Sequence, residues 1–340
     1  MTQKKNILFR VSGGRAFNKE LGLGHVYRAI NLALELKPDN IFFLVEDYGN
    51  VKSLLLNWGF KNIFLLKGGI KISSDITETT KLLYKKKIDI LIVDKYDYNT
   101  KKYVKRMHKI VKTVVVPDLE KIDYDADLVV NGFIGFDNTI LTNRYGAKCL
   151  LGPKYQILNK KYQNRKFTNQ KKYTILATFG GFDEHNIVHV FCKQLTKYLD
   201  RITAKIILGP ATKKSKELKN LEEKFRGKIE IISATKNMKK EISNAEFGIC
   251  GGGITTYEFA SMGVPFAIIC QYKHQLKTAR AWKRKKIAIS FGFANHMIDS
   301  KIQRFLSNIT NNKIQLKSKS TIVDGLGVVR IANEISKLNI

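Results

Sequence analysis

Short runs of apolar, β-branched residues alternate with stretches of helical periodicity along nearly the whole chain. This alternation predicts parallel β-sheets whose strands are joined by helices. In the first half the predicted strands are Asn6–Val11, Asn40–Val45, Ile63–Leu66, Ile88–Val93, Thr113–Val116 and Asp127–Val130, and the predicted helices include Val26–Leu36, Asn50–Trp58, Ile76–Lys85 and Thr100–Ile110.

A polar stretch rich in lysine and asparagine, Leu158–Lys172, interrupts this alternation and predicts a linker. We therefore expect an N-terminal domain over 1–157, the linker over 158–172 and a C-terminal domain over 173–340. Both are expected to be Rossmann-like and doubly wound, with ligands in a cleft beyond the carboxyl ends of their strands. In the second half the predicted strands are Tyr173–Thr178, Ala204–Leu208, Ile229–Ile232, Phe247–Ile249 and Phe266–Cys270.

The composition is that of a globular chain with a large excess of basic residues. The 340 residues are 44% hydrophobic and carry a formal net charge of +31. The lysines are scattered and no nucleic-acid-binding motif accompanies them, so we expect a lysine-rich solvated surface and no nucleic-acid partner. Peripheral association with an anionic membrane stays open as an alternative, because such a surface attracts anionic headgroups.

Several features expected of other protein classes are missing from the sequence. No apolar run approaches the roughly 20 residues that a membrane-spanning helix needs, and no signal-peptide pattern opens the chain. The four cysteines are widely spaced and form no CxxC pair. We therefore predict a cytoplasmic protein with no disulfide framework, no metal site and no cofactor.

The segment LGLGHVYRAINLALEL places His25 on the first turn of a predicted helix, directly behind a glycine-rich loop of about thirteen residues. Arg28 lies three residues further on, so the two side chains share a helix face. The positive end of the helix dipole lowers the pKa of a histidine placed there and keeps the imidazole neutral. A neutral imidazole can act as a general base. The alternative is that His25 only packs or caps the helix.

A second glycine cluster lies in the segment NAEFGICGGGITTYEFASMGVP, where a predicted strand runs into three glycines and then a short helix. Glycines allow a close approach of the backbone, and amides at a helix start bind phosphate. Glu258, one turn into that helix, is placed to accept hydrogen bonds from ribose. The alternative is a tight turn with close helix–strand packing.

Three further segments end predicted strands and are expected to face the same cleft. They are FGGFDEHN at Phe179–Asn186, IVDKY with Asp94 and Tyr96, and VVVPD with Asp118. Carboxylates at strand ends orient a base or bind sugar hydroxyls, but they also cap the following helix, and both roles stay open.

Taken in order, RVSGG…GLGHVYRAINLA, ILIVDKY, VVVPD, LLGPKY, TFGGFDEHN and GGGITTYEFASMGVPFAII resemble the nucleotide-sugar hydrolase of pseudaminic acid biosynthesis and its spore-coat-polysaccharide relatives. These are similar, more distantly, to the peptidoglycan glucosaminyltransferase of the GT-B fold. The resemblance spans about residues 6–290. The motifs GxGHxxR and GGxTxYE are diagnostic of the group jointly, but not of one substrate.

The resemblance implies metal-independent hydrolysis of a UDP-activated deoxyamino sugar, of the UDP-2,4-diacetamido-2,4,6-trideoxy-β-L-altropyranose type. The products would be UDP and a free sugar for pseudaminic (nonulosonic) acid or surface glycan synthesis. The resemblance further implies that the N-terminal domain binds the sugar or acceptor and that the C-terminal domain binds UDP. In the first domain, His25 would activate water with help from Tyr96, and the residues that orient the base or hold the sugar would be Arg28, Asp94 and Asp118. In the second domain, the diphosphate would be cradled by Gly252, Gly253, Thr255 and Thr256 and closed on by Gly180 and Gly181, Glu258 would bind ribose, and His274 and Gln275 would face phosphate or sugar.

Three departures from the relatives bear on the substrate. No acidic residue follows Arg10 closely, the loop before GLGH is lengthened around Arg15–Glu20, and His274–Gln275 stands where relatives often have Asn-Gln. The sequence does not distinguish water from another acceptor, so a UDP-sugar-dependent glycosyltransferase using a sugar or lipid acceptor stays the main alternative. A non-catalytic nucleic-acid or membrane-surface binding protein is the distant one.

Overall fold

A computed structural model describes the chain over residues 5–16, 19–37, 40–95, 99–163, 171–181, 183–209, 212–235, 237–314, 316 and 322–338. The chain forms two compact units. Unit 1 consists of Met1–Lys160 together with Gly325–Ile340, and unit 2 of Lys161–Asp324. Each unit is built around its own β-sheet.

The strands of unit 1 are β1 (Asn6–Val11), β2 (Gly14–Ala16), β3 (Lys19–Gly22), β4 (Asn40–Glu46), β5 (Asn62–Leu66), β6 (Ile90–Asp94), β7 (Lys112–Val115), β8 (Leu128–Asn131), β9 (Thr139–Thr142) and β10 (Lys148–Leu151). Eight of them form the main sheet, in the order β5-β4-β1-β6-β7-β8-β10-β9. Neighbouring strands are parallel except β9, which runs antiparallel to β10 at the edge. The chain winds outward from β1 in one direction and from β6 in the other, so the strand order reverses between β1 and β6.

Helices cover both faces of this sheet because alternate strand residues point to opposite sides. Ile7, Phe9 and Val11 of β1 join one apolar cluster with three helices, whereas Leu8 joins the opposite cluster with two others. The first three are α1 (Gly24–Leu36), α2 (Val51–Asn57) and the terminal helix α11 (Gly327–Ser336), and the other two are α3 (Ile72–Lys85) and α4 (Thr100–His108).

The strands of unit 2 are β11 (Tyr173–Thr178), β12 (Ala204–Leu208), β13 (Ile229–Ser233), β14 (Ala245–Gly251), β15 (Phe266–Cys270) and β16 (Ala288–Phe293). They form one parallel sheet in the order β13-β12-β11-β14-β15-β16, and the strand order reverses between β11 and β14. Its helices are α5 (Ile187–Leu195), α6 (Lys216–Lys224), α7 (Met238–Ser243), α8 (Thr255–Ser261), α9 (Gln275–Arg284) and α10 (Ile298–Thr310).

The last helix, α11 (Gly327–Ser336), packs in unit 1, although the sequence predicted that the second domain runs to residue 340. Val328, Ile331 and Ile335 recur at helical spacing and form an apolar stripe. All three are buried in the cluster that contains α1 and β1. The burial of this stripe explains why the end of the chain belongs to unit 1.

The connection after β1, predicted as a long glycine-rich loop, contains the short antiparallel pair β2 and β3. Gly14 pairs with Gly22, so the pair brings the chain back to the start of α1. Gly14 has φ +109°, and a Cβ there would lie 2.6 Å from the Tyr48 carbonyl oxygen, so only glycine fits. Among the helices of the described ranges, none is long and apolar enough to cross a membrane.

Candidate active site

A cluster of charged side chains lies where the strand order of unit 1 reverses. In the register of β1 and β6, Asp94 is the last residue of β6 and pairs with Val11. The Ser12 amide donates to the Asp94 carbonyl oxygen at 3.0 Å and continues this pairing by one residue. His25 stands on the first turn of α1. In open α/β sheets this point is where ligands bind.

The imidazole of His25 lies between two carboxylates. Nδ1 is 2.5 Å from Asp94 Oδ1, and Nε2 is 3.3 Å from Asp118 Oδ2. Because a carboxylate has no proton to give, we assign the hydrogen to Nδ1, which donates to Asp94. The side chains are 13% exposed at His25, 2% at Asp94 and 33% at Asp118, so solvent reaches the cluster from the Asp118 side.

Arg28 holds both carboxylates from the next turn of α1. Its Nη2 and Nε donate to Asp94 at 2.6 and 3.0 Å, and its Nη1 donates to Asp118 at 2.8 Å. A guanidinium suits this task because its donors form a rigid planar fork. The structure thus brings together four of the residues that the sequence singled out, namely His25, Arg28, Asp94 and Asp118. Tyr96, the predicted catalytic assistant, lies outside the described residues.

The prediction that His25 has a lowered pKa is wrong. Burial disfavours the imidazolium, but the charges of Asp118 and Asp94 outweigh burial and raise the pKa of His25. The expectation rested on the helix terminus alone, and two close carboxylates act more strongly than that partial charge. The imidazolium and Asp118 therefore form a pair that can hold a proton close to solvent.

A second charged cluster, which the sequence analysis missed, is buried on the face of the unit 1 sheet that α3 and α4 cover. Arg10 follows Leu8 by two residues, so its side chain points toward α3 and α4. It is 0% exposed and bonds Asp75 through Nε and Nη2, both at 2.9 Å, and Glu46 through Nη2 at 2.9 Å. Lys95 also pairs with Asp75. An arginine inside the apolar strand NILFRV was the sequence signal for this cluster.

Asn131 fixes the loop that carries Asp118. Its Nδ2 donates to the carbonyl oxygens of Leu119 and Lys121, at 2.7 and 3.0 Å. Leu119 has φ +56°, which a leucine rarely adopts, so the loop depends on this support. Asn131 is 1% exposed at the end of β8. Sequence reasoning did not single it out, because an asparagine at a strand end is common.

In unit 2 the triple-glycine loop follows β14, one of the two strands between which the order reverses. Gly252 has no room for a side chain, since a Cβ would lie 2.7 Å from the Gln275 Cβ. Gly253 is exposed, and a Cβ there would meet nothing within 4 Å. Gln275 Oε1 accepts from the Gln271 amide at 2.9 Å and from Gly252 at 3.4 Å. Gln275 therefore braces the loop and leaves Gly253 open.

Gly180 and Gly181 follow β11, the strand beside β14. Gly180 has φ +90°, and neither glycine has a heavy atom within 4 Å of where a Cβ would lie. A Cβ on Gly209, after β12, would instead run into the carbonyl oxygens of both. Asp183 accepts from two amides at the start of α5 at 2.8 Å each, which anchors the loop. Two open glycine segments thus follow the neighbouring strands β11 and β14.

The structure does not present the Thr256 hydroxyl to a ligand, contrary to its predicted role at the diphosphate. Thr256 is fully buried, donates to the Gly253 carbonyl oxygen at 2.7 Å and accepts from Trp282 Nε1 at 3.0 Å. The hydroxyl is therefore used to hold the loop on α8. Thr255 is partly exposed beside it.

His274 and Glu258, which the sequence predicted to contact the nucleotide sugar, each have a neighbouring tyrosine in the structure. The exposed ring of His274 stacks on Tyr272, with centroids 5.7 Å apart and an interplanar angle of 5°. Glu258 lies one turn into α8, where its Oε1 accepts from the hydroxyl of Tyr162 at 2.8 Å. Sequence analysis assigned Tyr162 to the linker and gave it no role. In the described part of the chain, no group of three or more His, Cys, Asp or Glu residues could hold a metal ion.

Comparison with known sequences gives two distant relatives, and no family model matches. The chain is 29% identical over 280 residues to an uncharacterized protein of Methanocaldococcus jannaschii, covering 75% of this chain and 54% of that protein. It is 25% identical over 336 residues to the spore coat polysaccharide biosynthesis protein SpsG of Bacillus subtilis, covering 92% and 93%. The chain therefore spans about half of the first relative and nearly all of the second.

Solved structures establish the fold. MurG of Acinetobacter baumannii is similar with a TM-score of 0.68 at 14% identity, over 98% of this chain and all of that one. MnaA of S. aureus, in a co-structure with UDP, has a TM-score of 0.55 at 14% identity, over 97% and 96%. The chain therefore has the GT-B fold of two Rossmann-like units, and the predicted α/β class is confirmed.

Proposed function

We propose that the protein is a nucleotide-sugar enzyme of surface polysaccharide biosynthesis that transfers a glycosyl group from UDP to a hydroxyl acceptor. The observation that carries this proposal is the cluster in which Arg28 holds Asp94 and Asp118 on either side of His25. A base beside solvent at the sheet reversal is what a hydroxyl nucleophile requires.

In the proposed reaction the acceptor oxygen bonds to the anomeric carbon, and the bond from that carbon to the diphosphate oxygen breaks. UDP leaves with the electron pair, and the acceptor proton passes to the His25–Asp118 pair. Because the pKa of His25 is raised, the pair accepts a proton only after the imidazolium has lost one. Asp94 and Arg28 hold the ring and the second carboxylate in place.

Unit 2 would bind the nucleoside diphosphate. Gly180, Gly181 and Gly253 offer backbone that no side chain covers, which suits phosphate oxygens. The solved MnaA structure was obtained with UDP, and SpsG is named for spore coat polysaccharide biosynthesis. These names support UDP as the nucleotide and a polysaccharide as the product.

Hydrolysis is the second candidate, with water as the acceptor. The motifs GLGHVYR and GGGITTYE favour it because they resemble the hydrolase of pseudaminic acid biosynthesis. That resemblance also points to a deoxyamino sugar as the group transferred. The same His25–Asp118 pair would take the proton from water.

UDP release from a panel of UDP-activated amino and diacetamido sugars tests both candidates. Transfer predicts that release increases at least tenfold on adding a sugar or lipid acceptor, whereas hydrolysis predicts full release without one. Both reactions should proceed in EDTA. Calorimetry on the same protein should show tighter binding of UDP than of CMP or GDP, and no binding of UDP would overturn the proposal.

A further inference from the structure

Tyr162 is a buried tyrosine whose hydroxyl has one specific partner. It lies in the 3-10 turn Lys160–Gln163, at the start of unit 2, and is 1% exposed. A buried hydroxyl without a partner costs free energy, so its bond to Glu258 Oε1 at 2.8 Å matters to the folded state. Burial and the neighbouring carboxylate raise the pKa of Tyr162 well above its ordinary value, so the hydroxyl stays a donor.

The second carboxylate oxygen of Glu258 is left open. Within the described ranges, the side chain of Glu258 makes no other hydrogen bond or ion pair. Its Oε2 is also not a buried orphan, since Thr212 Oγ1 is the one buried side-chain N or O atom there that lacks a partner. Oε2 therefore reaches solvent and is free to accept hydrogen bonds from a ligand.

Glu258 lies on α8, the helix that directly follows the triple-glycine loop. Glu258 is five residues after Gly253, and the bonds of Thr256 to Gly253 and Trp282 tie the loop to α8. Burial raises the pKa of Glu258, and the Tyr162 hydroxyl and the Lys161 charge oppose that rise. Tyr162 thus both orients the carboxylate and favours its ionised, accepting form.

We propose that Tyr162 is a positioning residue that fixes Glu258 so that Oε2 accepts a ribose hydroxyl of the nucleotide. This inference rests on the proposed function, since it requires a ribonucleoside diphosphate beside the glycine loop. Its consequence is selectivity for the sugar of the nucleotide. A nucleotide that lacks the bonded hydroxyl leaves Oε2 unpaired and binds more weakly.

The test is calorimetric titration of the wild-type chain and Tyr162→Phe with UDP, 2′-deoxy-UDP and 3′-deoxy-UDP. Wild type should bind UDP about tenfold more tightly than at least one deoxy analogue. Tyr162→Phe should lose about tenfold in UDP affinity and almost none for that analogue, so the preference for ribose disappears. Glu258→Gln, which keeps the side-chain shape but not the charge, should reduce the preference in the same direction.

Tyr198→Phe is the matched control, because the Tyr198 hydroxyl is exposed and, in the described part of the chain, donates to the carbonyl oxygen of Gln303, 105 positions further along the sequence. It should leave all three affinities unchanged. Equal loss for UDP and both analogues in Tyr162→Phe, or an unchanged ribose preference, would overturn the positioning role. Wild type that binds UDP without preferring ribose would overturn this inference alone, whereas wild type that binds none of the three would overturn the proposed function as well.

Discussion

Unit 1 contains two clusters of the same design, each an arginine that bridges two carboxylates. Arg10 joins Glu46 to Asp75, and Arg28 joins Asp94 to Asp118. The arginine of the first cluster is 0% exposed, whereas that of the second is 14% exposed and its carboxylate partner Asp118 is 33% exposed. The clusters therefore differ in their contact with solvent more than in their charges.

The third member of each cluster also differs. Lys95 completes the first and His25 the second. Arg10 stays charged at neutral pH, so the sealed cluster holds a fixed cation. Histidine titrates near neutral pH, and solvent reaches it through Asp118. The comparison teaches that the open cluster is suited to proton transfer, whereas the sealed one is suited to a structural role, because it joins β1, β4 and α3 through buried ion pairs.

The largest expected effect is on turnover. Under the proposed function, His25→Asn removes the proton-accepting ring and should reduce kcat by about 10²- to 10⁴-fold. UDP affinity should change less than about twofold, because the predicted nucleotide contacts belong to unit 2. UDP release and calorimetric binding on the same preparations measure both quantities. A variant that keeps most of its rate would assign His25 to packing.

The next largest effect is on stability. Here the sealed cluster should matter more than the open one, whereas for turnover the open cluster matters more. Arg10→Met leaves Asp75 and Glu46 without their main cation in a sealed site, so it should lower the free energy of unfolding by about 3–5 kcal/mol. Arg28→Met makes the same change in the open cluster and should lower the free energy of unfolding by less, because water can solvate Asp118. Urea unfolding followed by circular dichroism compares the two. Equal losses would contradict the distinction between sealed and open.

Much of the fold could be predicted because its strands are apolar runs that only a two-sided parallel sheet buries. The bounds of β1, β11, β12 and β15 agree with the sequence analysis. The edge strand β9 was missed because all four of its residues are exposed, so no apolar pattern marks it. The placement of α11 was missed because sequence order does not say which sheet a terminal helix covers.

The candidate site also divides into features that local sequence patterns predict and features that depend on contacts between distant parts of the chain. His25, Asp94 and Asp118 were singled out because each lies at the end of a strand or the start of a helix, and parallel strands bring such positions together. Arg28 was singled out because it lies three residues after His25 on the same helix face. The direction of the His25 pKa shift could not be predicted, since it depends on distances between residues about 70 and 90 positions apart in sequence. The role of Tyr162 was missed for a related reason: it bonds a residue 96 positions away.

The smallest effect, and the sharpest contrast, is the pH dependence of stability. The pKa of His25 is raised from its ordinary 6.5, because Asp118 and Asp94 outweigh burial. The folded chain therefore holds this proton more tightly than the unfolded chain does. The contribution of His25 is fully present below the unfolded pKa of 6.5 and is lost as pH rises through the higher folded pKa.

Asp75 should behave in the opposite way. Its pKa is lowered from its ordinary 3.8, because Arg10 and Lys95 outweigh burial. Its contribution is present above the unfolded pKa of 3.8 and is lost as pH falls through the lower folded pKa. Urea unfolding of wild type, His25→Asn and Asp75→Asn across pH measures both differences. The difference for His25→Asn should shrink on the alkaline side of 6.5 and that for Asp75→Asn only in acid, whereas parallel curves would mean that the two clusters are electrostatically alike.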